Sequence, residues 1–350
     1  MSARAASVQP GEHPDARLHA TLRFAVAVTA AFVLCEFLQW TPSFLAPVLT
    51  AVLLANLPMR PPLKLGLVLV AAMSMAALYA FVLSSLFRGT PPILFGLVAL
   101  SLFLSFHAML TGRPALPFML VLVCLATIPV MVMVAPSVAG SLPIALVRGI
   151  AIALVMIWIV YVPWTRIVPP PPKSAAPPSA ATPLARALLS TAVVMPLMLA
   201  YMMFGLADVL PVLIATVILV INFDLQGGRS QALAFIVGNF FGGLLAMLLH
   251  TVLLTTPSLL FLSLILFLVL LGFGHRISGG GPKAAVAVIA CNGMLVIFSS
   301  AIASGPGSLS LWMARLFQFA LAGAFAVGMM HLLWNTAVRR SARSPTPASR

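Results

Sequence analysis

Charge is what this 350-residue chain has least of: nineteen Lys and Arg and five Asp and Glu make up 7% of it, against about 25% in a soluble globular protein. With 62% hydrophobic residues and a mean hydropathy of +1.15, there is too little polar surface to cover an exterior in water. The chain reads as an integral membrane protein. Cysteine is scarce too. Cys35, Cys124 and Cys291 all lie inside apolar runs, so neither a disulfide framework nor a thiolate metal site is indicated. No Gly-rich loop ends in Gly-Lys-Ser/Thr, and there is no His-Glu-x-x-His, no Cys-x-x-Cys and no pair of carboxylates placed for acid and base work. The expectation is a protein that is not an enzyme and holds no metal or cofactor. The net charge of +14 would suggest nucleic acid if the bases were clustered on a soluble face, but they fall singly between apolar runs and at the two ends, which excludes that partner.

What is present in quantity is long apolar runs of 15 to 25 residues. They lack the two-residue alternation of barrel strands, and a bilayer leaves lipid-facing backbone groups no partner outside the chain, so they are expected to be helices. Breaks at Pro, Gly and charge place spans at 20–39, 43–57, 63–87, 91–111, 116–135 and 142–162, and again at 187–206, 209–222, 232–254, 258–273, 284–303 and 309–337. The fold class is therefore all-α, a polytopic membrane protein of about twelve transmembrane helices. A Pro, Ala and Ser tract over 166–183 separates an N-terminal unit, 1–165, from a C-terminal unit, 184–338, and a basic tail occupies 339–350. The first run follows basic residues, yet it contains Glu36 and has no small-residue cleavage site, so it is expected to remain as a helix.

Twelve spans place both termini on one side. One set of loops and ends then carries Arg17, Arg60, Lys64, Arg113, Arg166 and Arg276 among many bases, and the other carries Arg88 alone, plus Asp208. The first set is expected to be cytoplasmic. The halves are also related in sequence. Thr90-Pro91 recurs as Thr256-Pro257, His107, Gly112 and Pro114 recur as His275, Gly280 and Pro282, Arg148 recurs as Arg315, and Pro47 recurs as Pro211. This order points to a duplication into two six-helix repeats inserted the same way up.

The second span of each half is short and contains a proline. Pro47 and Pro211 either break their helices beside a substrate site between the repeats, or merely start tilted helices at the outer end. Arg148 and Arg315 lie within the last span of each half. They are candidates to cradle an anionic substrate, with snorkelling to the outer interface or pairing with Glu36 and Asp208 as the structural alternative. Glu36 leads the candidates for proton coupling, followed by Asp208, although Trp40 close by also suits an interfacial site for Glu36. Gly238 and Gly242, one turn apart, fit close helix packing.

Gly227-Gly228-Arg229-Ser230, then Gly238-Asn-Phe-Phe-Gly242-Gly243-Leu-Leu-Ala246 after a short Pro-containing span, together with Leu22-Arg23 and Ala185-Arg186 opening the two halves, resemble the fusaric-acid-resistance and aromatic-acid-exporter family of bacterial inner-membrane transporters. The resemblance implies secondary export of small organic acids, aromatic carboxylic acids foremost, often with a periplasmic adaptor of the membrane-fusion type. The soluble cytoplasmic domains common in that family are replaced here by the Pro-rich tract and the short tail. A possible homo-oligomer is left open. So are a major-facilitator-like carrier of another substrate, suggested by Asp224-Leu-Gln-Gly-Gly-Arg229, a non-transporting membrane subunit and an intramembrane enzyme.

Overall fold

The computed structural model describes residues 12–57, 59–166, 182–205 and 228–304, together with Phe317 and Gly328. Every regular element among them is a helix: α1 (Glu12–Phe37), α2 (Leu45–Asn56), α3 (Leu63–Leu86), α4 (Pro91–Leu110), α5 (Ala115–Val134), α6 (Pro136–Ala139), α7 (Ser141–Val160), α8 (Pro183–Phe204), α9 (Gly228–Thr255), α10 (Leu259–Ser278) and α11 (Gly281–Ser304). Nine of the spans they form, with α6 and α7 counted as one, are long and apolar enough to cross a bilayer. The predicted span 209–222, all of 309–337 but Phe317 and Gly328, most of the tract 166–183 and the tail 339–350 lie outside the described residues.

Helix ends follow local chemistry. The Thr182 side chain accepts from the Ala185 N–H at 3.3 Å with Pro183 as the first helical residue, so α8 starts four residues before the predicted 187. Ser258 caps α10 in the same manner, accepting from the Phe261 N–H at 3.2 Å. The far end of α10 runs past the predicted 273 to Ser278. His275 and Arg276 occupy its last turn, where positive charge suits the carbonyl end of a helix.

The short second span is shorter still as a helix. Twelve residues of α2 rise about 18 Å at 1.5 Å each, less than the hydrocarbon core of about 30 Å. Leu57 and Pro62 beyond it are extended, and the Trp158 indole N–H donates to the Pro61 carbonyl at 3.0 Å. Of the two readings of Pro47, the helix start holds and the interruption does not: Pro47 is the third residue of α2, in the first turn, where amide protons have no helical partner to lose.

Packing separates central from peripheral helices. Most of α5 from Met119 to Val132 is buried, as is most of α11 from Ala290 to Ser299. By contrast α3, α4, α9 and α10 present large apolar side chains outward, with Leu67 and Met75 68% exposed, Leu260 73% and Leu268 70%. Spacings such as Leu260, Leu264, Leu268 make one apolar stripe per helix, the surface expected to meet lipid.

α1 packs on α2, α7 and α10, α4 on α5 and α8, α3 on α5 and α7, and α9 and α10 both on α11. Close approaches need small residues. A Cβ on Gly242 of α9 would overlap the Ala290 carbonyl of α11, and one on Gly238 would lie 3.0 Å from Ile289. Between α1 and α11, Phe32 and Phe298 stack with centroids 5.6 Å apart, both fully buried.

Candidate functional site

The ends of the bundle differ in chemistry. Trp158 with Pro61, and Thr21 with Ser278, bring the start of α1, the start of α3 and the ends of α7 and α10 to one end, which therefore carries Arg17, Arg60, Lys64, Arg166 and Arg276. The opposite end collects the close of α1, the start of α2, the start of α7 and the close of α11. Here Glu36 and Arg148 fall near one another.

α1 stops in a hydrogen-bonded turn: the Gln39 N–H donates to the Glu36 carbonyl at 3.1 Å and the Trp40 N–H to the Cys35 carbonyl at 2.9 Å. Gln39 is left-handed, with φ of 52°, a conformation costing a residue with a Cβ on the order of 1 kcal/mol. Its side-chain amide offsets this by donating to the Glu36 carbonyl at 2.8 Å. The turn delivers Trp40 and then the cis Thr41–Pro42 peptide toward α7.

Arg148 is the eighth residue of α7 and half-buried. Its guanidinium lies over the Trp40 ring, 4.3 Å from the centroid, and one Nη donates to the Thr41 carbonyl at 3.5 Å. The neighbouring Gly149 lets α7 approach α2, since a Cβ there would sit 3.3 Å from Leu49 and 3.5 Å from Leu45. Five N–H donors on a planar fork exceed what one carbonyl uses, and the remaining ones meet no protein acceptor among the described residues. The alternative in which Arg148 pairs with Glu36 is corrected. The ion pair present among the described residues is Arg166 with Asp15 at the opposite end, and Arg148 rests on an aromatic face.

Glu36, in the last turn of α1, is half-buried and has another partner. The Ser43 hydroxyl donates to its Oε1 at 2.5 Å and lies 2.7 Å from the Ser299 hydroxyl of α11. Pro47 is buried one turn beyond Ser43 in α2. Arg315, Pro211 and Asp208 lie outside the described residues. Gly238 and Gly242 are remote from this cluster, in the α9 and α11 contact.

Arg23 went unread as a structural residue. It is 4% exposed in α1, donates from Nη1 to the carbonyls of Trp164 at 2.8 Å and Arg166 at 2.7 Å, and lies 4.4 Å from the Tyr161 ring centroid. A guanidinium thus fixes the chain leaving α7. The available signal was an arginine within an apolar run, with Tyr161 and Trp164 closing the sixth span. Ser43 and Ser299 had no signal, because a lone serine in a membrane helix ordinarily bonds its own backbone, as Ser74 and Ser84 do here.

Chemically, the cluster offers a half-exposed cation with unused planar donors against an indole, suited to a carboxylate carrying a flat apolar group, and one carboxylate able to hold a proton. No group of three or more His, Cys, Asp or Glu able to hold a metal occurs among the described residues.

A family model described as "Protein of unknown function (DUF2955)" matches residues 20–161, which reach from α1 to the residue closing α7. Nothing among curated proteins or solved structures matches the chain.

Proposed function

We propose that the chain is a secondary efflux transporter of the bacterial inner membrane for small organic acids, aromatic carboxylic acids foremost, built from two six-helix repeats inserted the same way up with both termini cytoplasmic. Reciprocal packing supports the repeat. The fourth helix of the first half, α4, packs on the first of the second, α8, and the fourth of the second, α10, packs on the first of the first, α1. Within the halves, α3 with α5 and α4 with α5 correspond to α9 with α11 and α10 with α11. The fifth helix is the buried one in each half, and the third and fourth face lipid in each. The matched family segment also spans one such unit.

The observation carrying the transport reading is Arg148 held face-on by Trp40, its fork edge unused, beside the Ser43 hydroxyl that bonds both Glu36 of the first half and Ser299 of the second. A substrate carboxylate takes the unused donors while its ring lies against the indole, and rocking of the halves exposes it to either side. A periplasmic adaptor, if one is used, meets the end bearing Arg88 and Thr256.

The test is counterflow in sealed proteoliposomes containing purified chain, preloaded with unlabelled 4-hydroxybenzoate and offered the labelled acid. Label accumulates unmodified with the native chain, and Arg148→Gln lowers the initial rate at least ~10-fold, the loss of a charge-assisted bidentate contact. Absence of flux from folded protein over a panel of aromatic acids, or chemical conversion of the acid, overturns the reading.

A further inference from the structure

The hydrogen-bond chain at the outer end of α1 crosses from one half to the other, and its polarity is set by one proton. An ionised carboxylate only accepts, so the Ser43 proton, with its oxygen 2.5 Å from Glu36 Oε1, is committed to that bond. Ser43 Oγ then has only lone pairs to offer Ser299, 2.7 Å away, and the Ser299 hydroxyl becomes the donor. Both rotors are fixed, and α11 is tied to the loop between α1 and α2 through a chain ending on a charge. A proton on Glu36 removes the charge assistance and lets either serine reverse, which weakens the tie. Elsewhere among the described residues a side-chain bond between the halves joins Thr21 to Ser278, two neutral hydroxyls 3.3 Å apart at the other end.

Among the described residues, the surroundings leave Glu36 as the switching group. From α7 the nearest charge is Arg148, engaged with Trp40 and Thr41, and Cys35 is the adjacent titratable side chain on α1. α2 contributes no titratable residue, α11 has among its described residues only Lys283 at its start and Cys291 at its middle, about two turns from Ser299, and α10 has His275 and Arg276 at the opposite end of the bundle.

We infer that Ser43 and Ser299 are positioning residues that make Glu36 a proton site read by the second half, a protonation-controlled latch between the two halves. This rests on the two-half transporter reading for its purpose, but its test uses no substrate, so failure of transport and failure of the latch are separable. Spin labels at Leu38→Cys, in the turn after α1, and Ala303→Cys, near the end of α11, report the distance between halves for the full chain in lipid nanodiscs. A Leu38→Cys and Val138→Cys pair within the first half is the control. The three native cysteines are buried and stay in place.

The distance distribution between halves is narrow at high pH and broadens on acidification, while the control pair stays constant. Glu36→Gln and Ser299→Ala are broad at every pH, and Ser299→Thr, which keeps the hydroxyl, restores the pH response. A distribution unchanged by pH in the native chain, or Glu36→Gln and Ser299→Ala responding to pH as the native chain does, overturns the latch.

Discussion

At the scale of single residues, two arginines in apolar helices show how a costly charge is accommodated. Arg23 is satisfied entirely by protein: two carbonyls at 2.7 and 2.8 Å and an aromatic face. Arg23→Ala leaves both carbonyls without that donor and is expected to cost about 3 kcal/mol, visible as a lower Tm in detergent, with Arg23→Lys intermediate because an ammonium lacks the planar fork. A Tm unchanged in Arg23→Ala would show that the bonds to Trp164 and Arg166 contribute nothing. Arg148 has unused donors, so its substitution is expected to act on flux rather than stability. The sequence made Arg148 conspicuous because guanidinium is rare in a membrane helix. Its partner was not legible, since pairing with Trp40 depends on the left-handed Gln39, a conformation that no residue preference at that position suggests.

Among elements, periodicity and breakers carried far. Breaks at Pro, Gly and charge together with apolar length located most described helices within a few residues, because backbone satisfaction in a bilayer leaves helix as the available state. Pro47 left two readings open. A proline is equally compatible with an interruption and with a first turn, and only the position of Leu45 as the first residue of α2 decides. Packing of α9 on α11 depends on glycine, which the one-turn spacing of Gly238 and Gly242 did signal. Gly242→Ala places a methyl against the Ala290 carbonyl and is expected to destabilise by about 1–3 kcal/mol, read as loss of monodisperse protein on heating in detergent. Gly272→Ala, with open space around its Cβ position, is the neutral control.

For the whole molecule, composition alone pointed to a polytopic membrane protein, which the long apolar helices bear out, while the cytoplasmic end read from the scattered bases belongs to the proposal. How the halves meet was not legible. Phe32 with Phe298, and Ser43 with Ser299, are contacts between residues more than 250 positions apart that no local pattern encodes. The reciprocal packing of α4 on α8 and of α10 on α1 is what supports the proposed duplication, under which both units insert with one orientation. The most direct measurement is accessibility of single cysteines to a membrane-impermeant maleimide in intact, outer-membrane-permeabilised cells. Thr90→Cys and Thr256→Cys are predicted to label from outside, and Arg113→Cys and Gly280→Cys only after the inner membrane is opened. Labelling of Thr90→Cys and Thr256→Cys from opposite faces would contradict two repeats inserted the same way up.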